Sequence, residues 1–109
     1  MAVIVHGFSM SGIFEDGDVV GAKKVTPFTR YKKHDIIVFY NQKGERVIHM
    51  IVDTTRKNGR TEYITWGVNN KQLDENTVAR KDIIGKVVVS AKEQYKILTL
   101  ARQGKKSDN

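Results

Sequence analysis

The stretch that decides the fold is HDIIVFYNQKGERVIHMIVDTTRKNGRTEYITWG, residues 34–67. It contains three runs rich in β-branched and aromatic side chains, which favour strands. These runs span residues 35–40, 46–53 and 61–66. Residues 42–45 form a turn, and Asn58-Gly59 is a hairpin signal because both positions of a type I′ turn need positive φ. The stretch therefore predicts three consecutive antiparallel strands.

The flanking sequence extends this pattern in both directions. Further strands are expected at residues 2–6, 18–25 and 83–89, with a polar loop at 68–78. Residues 91–102 have helical periodicity, with Tyr95, Leu98 and Ala101 on one stripe and Ile97 and Leu100 beside it. The tail, Gln103–Asn109, is expected to fray. The pattern predicts a mainly β fold, a small antiparallel β-barrel or folded sheet in residues 1–90, followed by a short C-terminal helix and tail in residues 91–109.

Composition narrows the class of protein. A chain of 109 residues, 39% hydrophobic and 28% charged, is typical of one globular domain. The absence of cysteine excludes disulfides and thiolate metal sites. The three histidines lack metal-ligand spacing, so we expect no metal and no cofactor. The apolar runs are far shorter than a membrane-spanning helix requires, and no secretory signal is expected in this chain.

The chain is basic, with a net charge of +7. Such a charge promotes solubility and a weak attraction to any polyanion. More specific partners for a basic chain are nucleic acid and an anionic membrane surface. Aromatic residues do not interleave with the basic ones as in RNA-binding patterns, so nucleic acid is the less favoured partner.

Several short motifs follow one another along the chain. In order they are Ser9-Met10, Gly17-Asp18-Val19-Val20, His34-Asp35-Ile36-Ile37-Val38-Phe39, Val47-Ile48-His49-Met50, Thr65-Trp66-Gly67-Val68-Asn69-Asn70 with Asp74 behind it, and Ile83-Ile84-Gly85-Lys86-Val87. This ordered series resembles the signal peptidase I family over residues 3–89. It is most similar to the branch found in the endoplasmic reticulum, in archaea and in some spore-forming bacteria.

The resemblance implies specific roles. Ser9 is the nucleophile, and His49 stands where this branch has histidine and the bacterial branch has lysine. Asp74 is the best match for the acid that orients the base, with Glu75 and Asp53 as alternatives. The backbone N–H of Ser9 is the natural oxyanion donor, and Phe8 and Met10 are expected beside the substrate.

The chemistry of these residue types agrees with those roles. A serine hydroxyl is a poor nucleophile until a base takes its proton. Histidine, with an ordinary pKa near 6.5, can do so at neutral pH, whereas a lysine would need its pKa lowered through burial. Strand alternation places His49 on the face opposite Ile48 and Met50. Without the motifs around Ser9, a structural histidine would be the preferred interpretation of His49.

The chain also departs from the family pattern. Gly7 lacks the serine hydroxyl that often adds an oxyanion donor, and His34 stands in place of a glycine at a strand entrance. Gly12 replaces a common proline, Met50 an arginine, and Val68 an acidic residue. The last two replacements remove charges near the expected site, which is compatible with altered specificity, low activity or a decayed site. Asp18 and Asp35 are interpreted as structural residues that bind backbone N–H groups.

The leading hypothesis is a serine endopeptidase that forms an acyl-enzyme on a peptide or preprotein substrate bound beside an edge strand. The resemblance implies membrane association and small residues before the cut, and the C-terminal helix could rest on a membrane surface or pack on the barrel. One alternative is an inactive or regulatory relative, since self-cleaving domains of SOS-type repressors share this barrel. The other is a basic nucleic-acid-binding barrel. The compartment and the oligomeric state stay open.

Overall fold

The fold is a single antiparallel sheet followed by a helix. The computed structural model describes residues 1–107, with side chains described to residue 103. Seven strands pair in the order β1-β2-β7-β3-β4-β5-β6. The elements are β1 Ala2–Ile4, β2 Val19–Lys24, β3 Ile36–Tyr40, β4 Arg46–Lys57, β5 Arg60–Trp66, β6 Val78–Ala79, a 3-10 turn at Arg80–Asp82, β7 Ile83–Val87 and α1 Ala91–Ser107. The expected mainly β fold with a C-terminal helix is confirmed.

The central strands β3 and β4 bury both of their faces. Ile36 and Val38 belong to one hydrophobic cluster, together with Ile48 and Met50 of β4. Ile37 and Phe39 belong to a second cluster, together with Val47 and Ile51. Side chains alternate across a strand, so this division places a cluster on each face of the sheet.

His49 lies on the second of these faces, directly opposite Ile37 in the register of β3 and β4. Its ring packs edge-on against Phe39 with 6.3 Å between ring centroids. The expected separation of His49 from Ile48 and Met50 is therefore present.

The β4–β5 hairpin turns at Asn58 and Gly59, whose φ angles of 53° and 76° match the expected type I′ turn. Strand β4 continues beyond the predicted end at Asp53 as far as Lys57. Polar residues do not signal a strand by themselves, but the tight turn brings β5 alongside and its backbone groups complete the ladder.

The helix α1 begins with a capping box that the helical periodicity did not reveal. The Glu93 N–H donates to Ser90 Oγ at 3.1 Å, and the Ser90 N–H donates to Glu93 Oε1 at 2.8 Å. The helix continues past the predicted end at Arg102 to Ser107. The helix thus includes the first part of the segment that was expected to fray, residues 108–109 lie outside the described part, and the flexible tail stays a prediction.

The face of α1 that packs on the sheet differs from the predicted stripe. Ile97 is completely buried in the first cluster, with Leu100 and Ala101 packed against it. Tyr95 and Leu98 are exposed. Neither α1 nor the 3-10 turn, the helices among residues 1–107, has the length and apolar character that crossing a membrane requires.

Candidate active site

Ser9 lies in a turn that follows the first strand. Strand β1 pairs with β2, and the Val5 N–H donates to the Asp18 carbonyl at 2.8 Å, which fixes the chain just before the turn. After Ser9, the Ile13 and Phe14 N–H groups donate to the Met10 carbonyl. The Met10 side chain is 1% exposed and anchors the turn in the first hydrophobic cluster. The half-buried Ser9 is thus held on a short, well-anchored segment.

Ser9, His49 and Asp74 form one chain of hydrogen-bonding contacts. Ser9 Oγ lies 3.0 Å from His49 Nε2, and Asp74 Oδ2 lies 2.6 Å from His49 Nδ1. An ionised carboxylate can only accept hydrogen bonds, so Asp74 favours the tautomer with the proton on Nδ1. Nε2 is then an acceptor for the serine hydroxyl. The arrangement can move the Ser9 proton onto His49.

The other two carboxylates considered for the orienting role lie elsewhere. Asp53 is exposed and lies 3.9 Å from Lys33 Nζ. Glu75 is exposed on the loop that precedes β6. The structure brings Asp74 to the histidine and leaves both alternatives away from its hydrogen bonds.

Thr65 holds Asp74 in place, a role that the sequence did not suggest. Its side chain is completely buried, and its hydroxyl donates to Asp74 Oδ2 at 2.7 Å. Its carbonyl accepts the Asp74 N–H at 2.9 Å. The oxygen that faces His49 therefore has a second hydrogen bond from β5, and the main chain fixes the distance between strand and loop.

The loop between β5 and Asp74 also clamps the serine turn. The Asn69 N–H donates to the Ser9 carbonyl at 2.8 Å, and Asn69 Nδ2 donates to the Phe8 carbonyl at 3.0 Å. Trp66 Nε1 closes the loop by donating to the Asn70 carbonyl at 2.9 Å. One loop thus fixes both the nucleophile candidate and its distant carboxylate.

Gly67 lies in direct contact with the serine and the histidine. A Cβ at this position would lie 2.8 Å from His49 Nε2 and 2.9 Å from Ser9 Cβ. Such distances are shorter than carbon atoms tolerate, so the close approach requires glycine. Gly67 belongs to the motif at residues 65–70, but its close approach to Ser9 and His49 is visible only in the structure.

Backbone donors are available beside Ser9. Among residues 1–107, neither the Ser9 N–H nor the Met10 N–H has a hydrogen-bond partner. The Gly7 N–H, by contrast, donates to Asp16 Oδ1 at 2.8 Å. Since oxyanions are stabilised by donors that are already in place, the free N–H groups at Ser9 and Met10 suit that purpose better than Gly7.

Two of the departures from the family pattern are packing positions. Met50 is fully buried, on the sheet face opposite His49, and Val68 is also buried in the first cluster. Neither side chain lies within the Ser9–His49–Asp74 chain. The Phe8 side chain is 69% exposed and belongs to neither hydrophobic cluster, so its expected place beside the substrate stays a prediction.

Asp18 and Asp35, interpreted from the sequence as structural residues, both bind backbone N–H groups. Asp18 accepts the Glu15 N–H at 2.8 Å, and Asp35 accepts the Lys32 N–H at 2.9 Å. Asp35 is also paired with the Lys32 and Lys86 ammonium groups. His34 has a φ of 75°, a left-handed conformation that accounts for glycine at this position in the family pattern.

Two cavities meet at His49. One, of about 510 Å³, is lined by Ser9, by residues 3–6 of the first strand segment and by the start of β4. The other, of about 550 Å³, is lined by Asp74, the loop after it, the end of β3 and Glu62 of β5. His49 lines both cavities, together with Asn41 and Val47; the cavity that includes Ser9 is on the serine side, and the one that includes Asp74 is on the carboxylate side.

Comparison with known proteins yields a distant relative. No protein-family model matches the chain. The chain is similar to Signal peptidase I W of Bacillus subtilis (strain 168), with 29% identity over 75 residues that cover 69% of this chain and 40% of that protein. The chain thus spans less than half the length of this curated relative. The match supports a signal peptidase I-like relationship and, at the level of class, a peptidase-like function.

Proposed function

We propose that this chain is a serine endopeptidase of signal-peptidase type, of the branch that uses a histidine base. Ser9 is the nucleophile, His49 the general base and Asp74 the carboxylate that orients it. The observation that carries the proposal is the unbroken chain of contacts from Ser9 Oγ through the imidazole to Asp74 Oδ2. Catalytic groups of this kind are recognised by geometry and role.

The first half of the reaction follows from the positions of the protons. His49 Nε2 takes the Ser9 proton as Oγ attacks the substrate carbonyl carbon. Negative charge develops on the carbonyl oxygen, and the N–H groups of Ser9 and Met10 are the nearest free donors for it. The protonated imidazole then gives its proton to the departing amine, which leaves an acyl ester on Ser9.

The second half repeats these steps with water. His49 takes a proton from a water molecule that attacks the acyl ester, and it returns the proton to Ser9 as the ester bond breaks. Asp74 stabilises the imidazolium that forms in both halves, because its carboxylate faces Nδ1. Thr65 and the Asn69 clamp keep these groups in position without themselves exchanging protons.

The substrate direction follows from the two cavities. The acyl part must lie on the serine side, in the cavity formed with residues 3–6 and the start of β4. That cavity has valines and Ile48 in its lining, which suits small apolar side chains. The resemblance likewise implies small residues before the cut. The proposal places the residues after the cut toward the cavity that Asp74 lines.

Cleavage of a peptide with alanine at the first and third positions before the cut tests this proposal. We expect the wild-type chain to cleave it, and we expect Ser9→Ala and His49→Ala to lose activity on the order of 10³-fold or more. Ser11→Ala, a neighbouring hydroxyl that is hydrogen-bonded to Glu15, is the matched control. Activity that survives Ser9→Ala would exclude the proposed nucleophile, and an inactive wild-type chain would favour the non-catalytic alternative.

A further inference from the structure

A large basic groove lies beside the hairpin of β4 and β5. It has a volume of about 1130 Å³ and is lined by the hairpin tip, the 3-10 turn and the loop after β2. Its cations are Arg56, Lys57, Arg60, Arg80 and Lys81. Glu62 is the single carboxylate among its described lining residues, and it accepts a hydrogen bond from the Thr77 hydroxyl. The groove therefore carries a large excess of positive charge.

These cations are not neutralised within the described part of the chain. The ion pairs among residues 1–103, whose side chains the structure describes, involve Lys32, Lys33, Lys86 and His49, none of them in the groove. Lys57 and Arg60 are direct cross-strand partners, an arrangement of like charges that destabilises a sheet. An anionic group bound between them would relieve this repulsion.

Two of the arginines are already held in place. Arg80 donates to the carbonyls of Pro27 and Thr29, and it lies 5.0 Å from the centre of the Tyr31 ring. Arg56 donates to the Gly59 carbonyl at 2.8 Å. A site whose charges are pre-positioned loses less conformational entropy when a ligand binds.

The groove adjoins the cavity on the carboxylate side of His49. Lys57, Glu62 and Ala79 line both. Thr65, which binds Asp74, and Arg60, at the groove, are five residues apart on β5, a distance of about 17 Å at 3.3 Å per residue. An extended peptide covers that distance with about five residues.

We propose that the basic groove is an exosite for an acidic segment of the substrate, located about five or more residues after the cut. This inference rests on the proposed function, because it assigns the cavity beside Asp74 and the adjoining groove to the substrate residues after the cut. Carboxylates of that segment bind Lys57, Arg60 and Lys81, with the fixed guanidinium groups of Arg56 and Arg80 behind them.

A peptide fits this groove better than a nucleic acid does. Base stacking needs open aromatic faces, but Arg80 covers Tyr31, and the buried Tyr63 packs against the same ring at 5.2 Å. The exposed cations lie along a strand and a turn, where the carboxylates of an extended chain can reach them. The groove also adjoins the cavity at His49, as expected of a site that binds substrate.

The test compares two peptides with the same cleavage site. One carries Glu-Asp-Glu at positions five to seven after the cut, and the other carries Gln-Asn-Gln. We expect the acidic peptide to have a KM about tenfold lower at low salt, with kcat unchanged, since three exposed ion pairs add binding energy equally to substrate and transition state. Arg60→Gln/Lys81→Gln should abolish the difference. Lys92→Gln/Arg102→Gln, which removes the same charge from exposed positions of α1, should preserve it.

A binding measurement keeps this inference separate from the catalytic proposal. Fluorescence anisotropy of both labelled peptides with the Ser9→Ala protein should show tighter binding of the acidic one, lost in the groove variant and weakened by salt. Equal binding of the two peptides would overturn the exosite, whether or not Ser9 is the nucleophile. A single-stranded oligonucleotide that displaces the acidic peptide at lower concentration than the unlabelled peptide does would also overturn it, in favour of a nucleic-acid site. Exosite binding without any Ser9-dependent cleavage would uphold the groove and reject the protease.

Discussion

His49 Nδ1 lies 2.6 Å from Asp74 Oδ2, although 25 residues separate them in the chain. The contact joins the middle of β4 to a loop beyond β5, and the buried hydroxyl of Thr65 binds the same carboxylate oxygen. The hydrogen bond at Nδ1 therefore orients the imidazole, and Nε2 faces Ser9. In the proposed mechanism this orientation makes the histidine a base for the serine hydroxyl.

Asp74→Asn tests the orienting role. The amide can donate to Nδ1, which would favour the tautomer with the proton on Nε2 and leave that atom unable to accept the Ser9 proton. We expect kcat to fall on the order of 10²–10⁴-fold, with the fold retained. Steady-state kinetics measure the effect, and Asp53→Asn is the control for loss of one carboxylate. Equal activity of the two variants would contradict the role of Asp74.

Thr65→Val removes the hydroxyl that binds Asp74 while keeping the shape of the side chain. We expect a lower kcat, because the carboxylate loses one of the bonds that fix its position, and a loss of stability of about 1–3 kcal/mol from the altered buried hydrogen bonding. Thr65→Ser should restore most of the activity. Kinetics and thermal unfolding separate the two effects, and a Thr65→Val protein with wild-type kcat would show that the hydroxyl only stabilises the fold.

Gly67→Ala tests the close approach of the backbone to the site. The new methyl group would lie 2.7 Å from Asn70 Nδ2, 2.8 Å from His49 Nε2 and 2.9 Å from Ser9 Cβ, so the site must shift to accommodate it. We expect a loss of activity on the order of 10²-fold, as for a misplacement of about 1 Å. Gly21→Ala is the matched control because a Cβ there meets nothing within 4 Å. Similar activity of both alanine variants would contradict this account of Gly67.

Glu15 gives a prediction about pH and stability. Hydrogen bonds from the Gly12 backbone and then from the Ser11 hydroxyl lower the pKa of Glu15 below its usual value, although its burial acts in the opposite direction. A carboxyl group with a lowered pKa in the folded state contributes stability above its unfolded pKa, and this is lost as pH falls through the folded value. Glu15→Gln should therefore lower Tm at pH 7, with a difference that shrinks toward pH 3.

Thermal unfolding followed between pH 7 and pH 3 measures that difference. Glu75→Gln, which removes an exposed carboxylate elsewhere, controls for the change in net charge. A gap between wild type and Glu15→Gln that widens as the pH falls would contradict the predicted sign.

The sequence predicted the strands and the site motifs, because both depend on local patterns. The alternation of apolar residues around His49 predicted the correct sheet face for its side chain. The Asn58-Gly59 pair predicted the turn of the hairpin. The end of β4 was missed because pairing with β5, rather than hydrophobicity, extends that strand to Lys57. Tertiary pairing overrides a weak local preference.

The supporting residues of the site could not be predicted from local patterns. The sequence around Thr65 is that of an ordinary strand. Its hydrogen-bond partner Asp74 is identified only in the fold, where the loop after β5 brings Asp74 next to that strand. The clamp by Asn69 likewise joins segments that are far apart in the chain. On α1, periodicity indicated an amphipathic helix, but the choice of Ile97 as the buried residue depends on how the helix docks.

Covalent trapping at Ser9 tests the central claim most directly. The wild-type protein would be incubated with a fluorophosphonate, which forms a stable adduct with an activated serine hydroxyl, and the product would be mapped by peptide mass spectrometry. The proposed Ser9–His49–Asp74 arrangement predicts one adduct on Ser9, little reaction in His49→Ala, and protection by excess peptide substrate. An adduct that forms equally well in His49→Ala, or a wild-type protein that cleaves the peptide but is modified at another serine such as Ser11, would contradict it.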